Sequence, residues 1–189
     1  MSRAEPRRSI SGAGSRLLIR SAQVPDIAVL SALAQELRRH EAMLYQRIAP
    51  ASQLATSYVE ELMAEAAAAE GILLVAEWHR GIAGYIFLRP RVIDEMPDHS
   101  QIHYAMVDDL VVTRALRGNG IGRRLLEAGE AQARKQGASW IRIGSLARNE
   151  AALALYKGAG FQDHLVILEK PLHQVSAQDG IGVARSQID

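Results

Sequence analysis

Apolar and polar positions along this chain change period several times, and each change marks a predicted element. Leu17-Leu18-Ile19-Arg20 reads as a short strand. Pro25 and Asp26 suit a helix start, and Ile27, Leu30, Leu33, Ala34 and Leu37 then recur at helical spacing. Arg38, Arg39 and His40 are cations that suit the C-terminal end of that helix. A second helix is predicted from near Ser52 to Gly71, with Leu54, Tyr58 and Leu62 on one side and an alanine run that favours helix. Ile72 to Trp78 and Ile82 to Leu88 read as strands joined by a hairpin turn at His79-Arg80-Gly81. Arg89 to Ser100, with two prolines and three acids, reads as a loop.

The second half is more regular. Gln101 to Thr113 is predicted as a long strand, followed by a glycine-rich turn and an amphipathic helix that Gly137 stops. Ser139 to Leu146 is a further strand, Asn149 to Gly158 a short helix closed by Gly160, and Phe161 to Leu172 an extended segment. A strand–helix–strand unit of this length makes 101–113 and 139–146 parallel, whereas the hairpin before it is antiparallel. The expected fold is therefore α/β (α+β), a mixed sheet flanked by helices. Residues 1–15 and 174–189 are aperiodic and read as flexible tails around one domain, 16–173.

Composition narrows the function classes. The 22 basic and 21 acidic side chains nearly cancel, which argues against a nucleic-acid partner. With no cysteine, disulfides, cysteine-ligated zinc and a cysteine nucleophile are excluded. No apolar run is long enough for a membrane span, and Arg3, Arg7 and Arg8 precede no apolar signal segment, so a cytoplasmic protein is expected.

The chemistry concentrates at Arg117-Gly118-Asn119-Gly120-Ile121-Gly122, between the apolar run Leu110-Val111-Val112 and a helix. Bare backbone N–H groups at a helix N-terminus hold phosphate or pyrophosphate. The dinucleotide fingerprint does not fit, because its third glycine position is Arg123 and 139–145 supplies no ribose-binding acid. The Walker sequence is absent.

Arg117-Gly118-Asn119-Gly120-Ile121-Gly122 matches the (Q/R)-x-x-G-x-(G/A) signature of the Gcn5-related N-acetyltransferase superfamily, and Leu110-Val111-Val112-Thr113 is similar to its preceding strand. Asn149-Glu150-Ala151-Ala152-Leu153-Ala154-Leu155-Tyr156 with Gly160-Phe161 resembles its N-x-x-A-x-x-L-Y-x-x-x-G-F segment. The strong resemblance covers roughly 105–170. It implies a mostly antiparallel twisted sheet, with a parallel strand pair splayed into an acetyl-CoA cleft. It also implies acetyl-CoA as co-substrate, with no metal. The pantetheine arm would pair with the backbone of Leu110, Val111 and Val112, and the pyrophosphate would lie on 117–122 beside Arg117 and Arg123. Asn149 and Tyr156 would come from the second motif; Asn149 also reads as a helix N-cap.

Acyl transfer to an amine needs a group to take the amine's proton and one to protonate the leaving thiolate. The resemblance gives Tyr156 the second role. It gives Asp108 the acceptor side, where related diamine acetyltransferases carry glutamate. Adjacent strand residues point to opposite faces, so one of Asp108 and Asp109 is expected to face the acceptor and the other to make a structural contact. His103, Tyr104 and Glu77 are weaker candidates. Without cysteine, direct attack in a ternary complex is expected. Glu36, Glu41, Tyr45, Asp94, Glu95 and Asp98 lie in segments that line the acceptor side in that family, which suits a small-molecule amine or polyamine. The alternatives are a protein lysine or N-terminus as acceptor, or a non-catalytic acyl-CoA-binding module. Relatives often form a homodimer, but no sequence feature here fixes oligomeric state.

Overall fold

The computed structural model describes residues 17–79, 81–93 and 103–171. Both expected tails, residues 16, 172 and 173 at the domain edges, and Asp94, Glu95 and Asp98 lie outside them. The strands β1 (Leu18–Ser21), β2 (Ile72–Trp78), β3 (Gly81–Ile93), β4 (His103–Val112) and β5 (Trp140–Ile143) form one sheet in sequence order. All neighbours are antiparallel except β4 and β5, which are parallel. The helices are α1 (Ile27–Leu44), α2 (Tyr58–Ala67), α3 (Ile121–Lys135) and α4 (Glu150–Gly158).

The sheet is the middle of three layers. Leu74, Ala76, Ile86, Leu88 and Val107 pack on one face against Ile121, Leu125 and Leu126 of α3. Leu73, Val75, Tyr85, Phe87 and Val111 pack on the other against Leu30, Leu33 and Ala34 of α1 and Val59 and Leu62 of α2. The central strands β2 and β3 are apolar on both faces because both are covered. Gly84 permits a close approach of β3 to β4, since a Cβ there would lie 2.2 Å from the Val111 carbonyl oxygen.

Several boundaries differ from the sequence expectation. Helix α1 does not stop at Arg38-Arg39-His40 but runs to Leu44, because Glu41-Ala42-Met43-Leu44 are good helix formers. That added turn carries Glu41. The second helix begins at Tyr58 rather than Ser52, preceded by a single 3-10 turn at Ala51–Gln53. Strand β3 continues through the expected loop to Ile93, with Pro90 inside a register irregularity between Arg89 and Val92, where no regular ladder hydrogen bond is lost. Strand β5 ends at Ile143, not Leu146, because β4 diverges there. Residues 161–171 form no ladder, and Leu165 to Leu168 are exposed.

The N-terminal corner is fixed by charge. Asp26 is buried and accepts two bonds from the Arg20 guanidinium, at 2.7 and 3.1 Å, and one from the Gln23 N–H at 2.8 Å. Arg20 also donates to Glu77 at 3.0 Å, tying β1 to β2 and to the start of α1. The Arg20 hydrogen bonds hold the Asp26 carboxyl below its usual range despite burial.

Asp26→Asn should lower stability at pH 7 by about 2 kcal/mol. A depressed carboxylate stabilises above its unfolded pKa of ~3.9, and that stabilisation is lost as pH falls through the folded value. Urea midpoints of wild type and variant should therefore separate at neutral pH and converge in acid; a gap that persists in acid contradicts this role.

Candidate active site

Strand β4 is rephased midway. Phe87 pairs with Asp109 and the next residue, Leu88, pairs with Val107, so Asp108 is an extra residue in a β-bulge. Val107 faces α3, and Asp109 faces α1 and α2. The expectation that the two acids point to opposite faces needs correction. The Asp108 carboxylate meets Arg89 at 3.0 Å, and Arg89 also donates to Glu65 of α2, so both acids serve the α2 side. The bulge breaks the simple alternation on which that expectation rested.

Asp109 is buried, and its Oδ2 accepts the hydroxyls of Tyr85 at 2.7 Å and Tyr58 at 2.8 Å. One carboxylate thus joins β4, β3 and the first turn of α2. Burial first, then the Asp109 charge, push both tyrosine hydroxyls well above the ordinary range, so they stay protonated donors. Above them is a pocket lined by Arg38, Glu41, Leu54, Tyr58 and Asp109. Burial, and secondarily the charge of Asp109, raise the Glu41 carboxyl, while Arg38 opposes this. Asp108 is raised by burial against the opposing charge of Arg89.

The strand edge beside this pocket is open. Pairing of β4 with β5 ends at Val107 and Ile143, just beyond the stack of Arg142 over the Tyr104 ring at 4.0 Å. The Thr113 N–H bonds to the Ala83 carbonyl at 2.8 Å, which fixes the alternation of the β3–β4 ladder. Leu110 and Val112 consequently direct their backbone groups away from β3, into the gap. The Val112 carbonyl accepts Nε of Arg117 at 2.9 Å.

The glycine turn lies at the end of that gap. Gly118 and Gly120 have φ of +80° and +79°, and a Cβ on either would point into open space. Helix α3 has no side-chain N-cap, and the first intrahelical acceptor serves Arg124, whose N–H reaches Gly120 O at 3.1 Å. The N–H groups of Ile121, Gly122 and Arg123 therefore precede the helical ladder and carry its positive end. Asn119 Nδ2 pins the turn by donating to Leu116 O at 3.1 Å. Glu36 of α1 accepts the Arg114 N–H at 2.7 Å and pairs with Arg117 at 3.4 Å. Arg123 donates to Gly158 O at 2.6 Å, linking α3 to α4. A multiply charged phosphate fits such a turn, and an extended amide-bearing arm fits the Leu110–Val112 edge.

Asn149 caps α4, its Oδ1 accepting the Ala152 N–H at 3.3 Å. Tyr156, in the last turn of α4, packs against Phe161 with ring centroids 6.0 Å apart. Its hydroxyl is pushed up to about 12, first by burial and then by the charge of Glu41. Glu41 belongs to α1 and Tyr156 to α4, on opposite layers of the sheet. His103 and Tyr104 begin β4, away from this pocket, and Glu77 is held by Arg20. Among the described residues no group of His, Asp and Glu could hold a metal ion, and no helix is long and apolar enough to cross a membrane.

A mixed sheet opened between parallel strands, with a glycine turn leading into an uncapped helix, defines an acyl-CoA-dependent transferase architecture. The chain belongs to the acetyltransferase (GNAT) family, whose model matches residues 34–161. It is thus an acetyltransferase of a family that generally uses acetyl-CoA. Solved structures agree in fold. A mutant protein from Bacillus halodurans superposes with TM-score 0.74 at 24% identity, over 82% of this chain and 99% of its own. AAC(6')-Iy in complex with a CoA bisubstrate analogue gives TM-score 0.63 at 12% identity, over 82% and 98%. A ribosomal-protein-alanine N-acetyltransferase from Brucella melitensis gives 0.62 at 25% identity, over 77% and 85%. No curated protein sequence matches the chain.

Tyr58 and Tyr85 were not legible as site residues. Their only sequence signal is a pair of acids in an otherwise apolar strand, which must find buried donors. Tyr85→Phe should cost about 2 kcal/mol of stability, and Tyr58→Phe less, because a charge-assisted hydrogen bond to a buried carboxylate is lost. Urea unfolding checks this; a Tyr85→Phe protein as stable as wild type contradicts the clamp.

Proposed function

We propose that this protein transfers the acetyl group of acetyl-CoA to a primary amine by direct attack in a ternary complex. The observation that carries the reading is the open β4 edge, with Leu110 and Val112 facing the gap, between the uncapped N-terminus of α3 and the acidic, tyrosine-lined pocket. Backbone groups of Leu110 and Val112, flanking Val111, bind the pantetheine arm, and 118–122 bind the pyrophosphate. Arg117 and Arg123 complete the rim; each is parked on a protein carbonyl, at Val112 and Gly158, close to the turn. Asn149 contributes by fixing the start of α4 and so the place of Tyr156.

The thioester supplies an activated acyl group. Tyr156 supplies the hydrogen bond to the departing sulfur. Its raised pKa keeps it protonated at neutral pH, above the ~8.5 of a simple thiol. It therefore gives up its proton only as another replaces it, and does not ionise early. The pocket's carboxylates suit a cationic acceptor, and we assign a small-molecule amine or polyamine in the cytoplasm. A protein N-terminus is the second reading, favoured by the likeness to the ribosomal-protein-alanine N-acetyltransferase. Thiol release from acetyl-CoA across polyamines, simple amines and peptides decides between them; binding of acetyl-CoA with no transfer to any acceptor would contradict both and favour a binding module.

Two outcomes follow for the kinetics. Tyr156→Phe should lower kcat about 100-fold while leaving acetyl-CoA affinity within about twofold. Initial-rate lines for the two substrates should intersect; parallel lines, or a trapped acetyl-protein, contradict direct attack.

A further inference from the structure

Glu41 has no assigned work in the fold. It stands on the added turn of α1 that sequence periodicity did not foresee, and it lines the pocket above Asp109. Among the described residues no hydrogen bond or ion pair engages its carboxylate. The two strand acids are committed differently. Asp109 is buried and spends Oδ2 on two tyrosine hydroxyls. Asp108 is held by Arg89, itself bound to Glu65. Both strand acids are thereby fixed, whereas Glu41 faces the pocket on a longer side chain from a helix surface.

We infer that Glu41 is the catalytic residue that takes the proton from the attacking amine, and that Asp109, clamped by Tyr58 and Tyr85, is a positioning residue that sets its basicity. This rests on the reading that an amine is the acceptor. The bound ammonium gives one proton to the Glu41 carboxylate and becomes a free amine. The N–C bond forms and the C–S bond to CoA breaks. The second amine proton ends on the thiol, passing through Tyr156, which donates to sulfur and is reprotonated from the nitrogen side. Glu41 then releases its proton to solvent.

The surroundings of Glu41 make it suited to the task. Among the described residues, Arg38 from its own helix, Asp109 of β4 and Tyr58 of α2 line the pocket with it, and its charge contributes to raising the hydroxyls of Tyr85 and Tyr156. Burial and Asp109 push its carboxyl up from the ordinary glutamate value, toward working pH, and Arg38 pulls it back. The group works deprotonated, so activity falls as pH drops through its pKa. The amine's own titration gives a separate limb near ~10.

The test is a pH profile of kcat/KM with an amine that wild type acetylates, together with acetyl-CoA affinity. Glu41→Gln should lower kcat about 100-fold or more and remove the acid limb, with acetyl-CoA affinity within about twofold. Glu41→Asp should recover part of the rate. Asp109→Asn should move the acid limb to lower pH, and Arg38→Gln should move it to higher pH; the second variant keeps the tuning testable where the first fails to fold. Glu41→Gln turning over at the wild-type rate would overturn the inference and leave the acetyltransferase reading standing. An acid limb that survives in Glu41→Gln and disappears in Asp108→Asn would return the role to Asp108. No acetylation of any amine by wild type would overturn both.

Discussion

One extra residue in β4 turns that strand over at its midpoint. Asp108 has no counterpart on β3, so Val107 faces α3 while Asp109 faces the opposite layer. A carboxylate buried there is tolerated only with donors, and Tyr58 and Tyr85 provide them. The same clamp therefore stabilises the bulge and fixes the start of α2. It also places the Asp109 carboxyl group in the lining of the pocket. The open edge begins just past the bulge, where β5 no longer pairs. Both halves of the site thus depend on this local change of register.

The proposed donor side and the proposed acceptor side lie on different layers of the sheet. The glycine turn and Tyr156 belong with α3 and α4, tied by Arg123 to Gly158. Glu41 and the tyrosine clamp belong with α1 and α2. In a continuous sheet, side chains from opposite layers would be separated by a full thickness of backbone, since packed layers lie ~10 Å apart. The β4–β5 pairing ends at Val107 and Ile143, and the charge of Glu41 contributes to raising the Tyr156 hydroxyl. Glu36 closes the arrangement by bracing α1 against Arg114 and Arg117 at the turn.

What could be read from the sequence was what is local. The helix start at Gly120, the cap at Asn149 and the parallel strands around α3 follow from residue type and spacing, and the motif resemblance added the family. What could not be read depends on pairing. A bulge is a property of two strands, so Asp108 and Asp109 were given opposite faces by an alternation that fails there. Arg38-Arg39-His40 looked like a helix end because cations favour one, yet the following four residues favour helix and extend it by the turn that matters most. Pro90 looked like a loop residue because its tolerance in β3 depends on an irregularity against β4. Tyr58 and Tyr85 are far apart in sequence and become one feature only through Asp109.

In the proposed mode of binding, the open edge of β4 and the glycine turn together hold the acyl donor. Residue-resolved amide hydrogen exchange with and without acetyl-CoA tests it directly. The amides of Leu110, Val112 and 118–122 should slow on binding, while those of Met106 and Val107, where β4 already pairs with β5, should change little. Saturating acetyl-CoA that leaves Leu110 and Val112 unprotected, or that protects only residues away from this gap, would contradict the account.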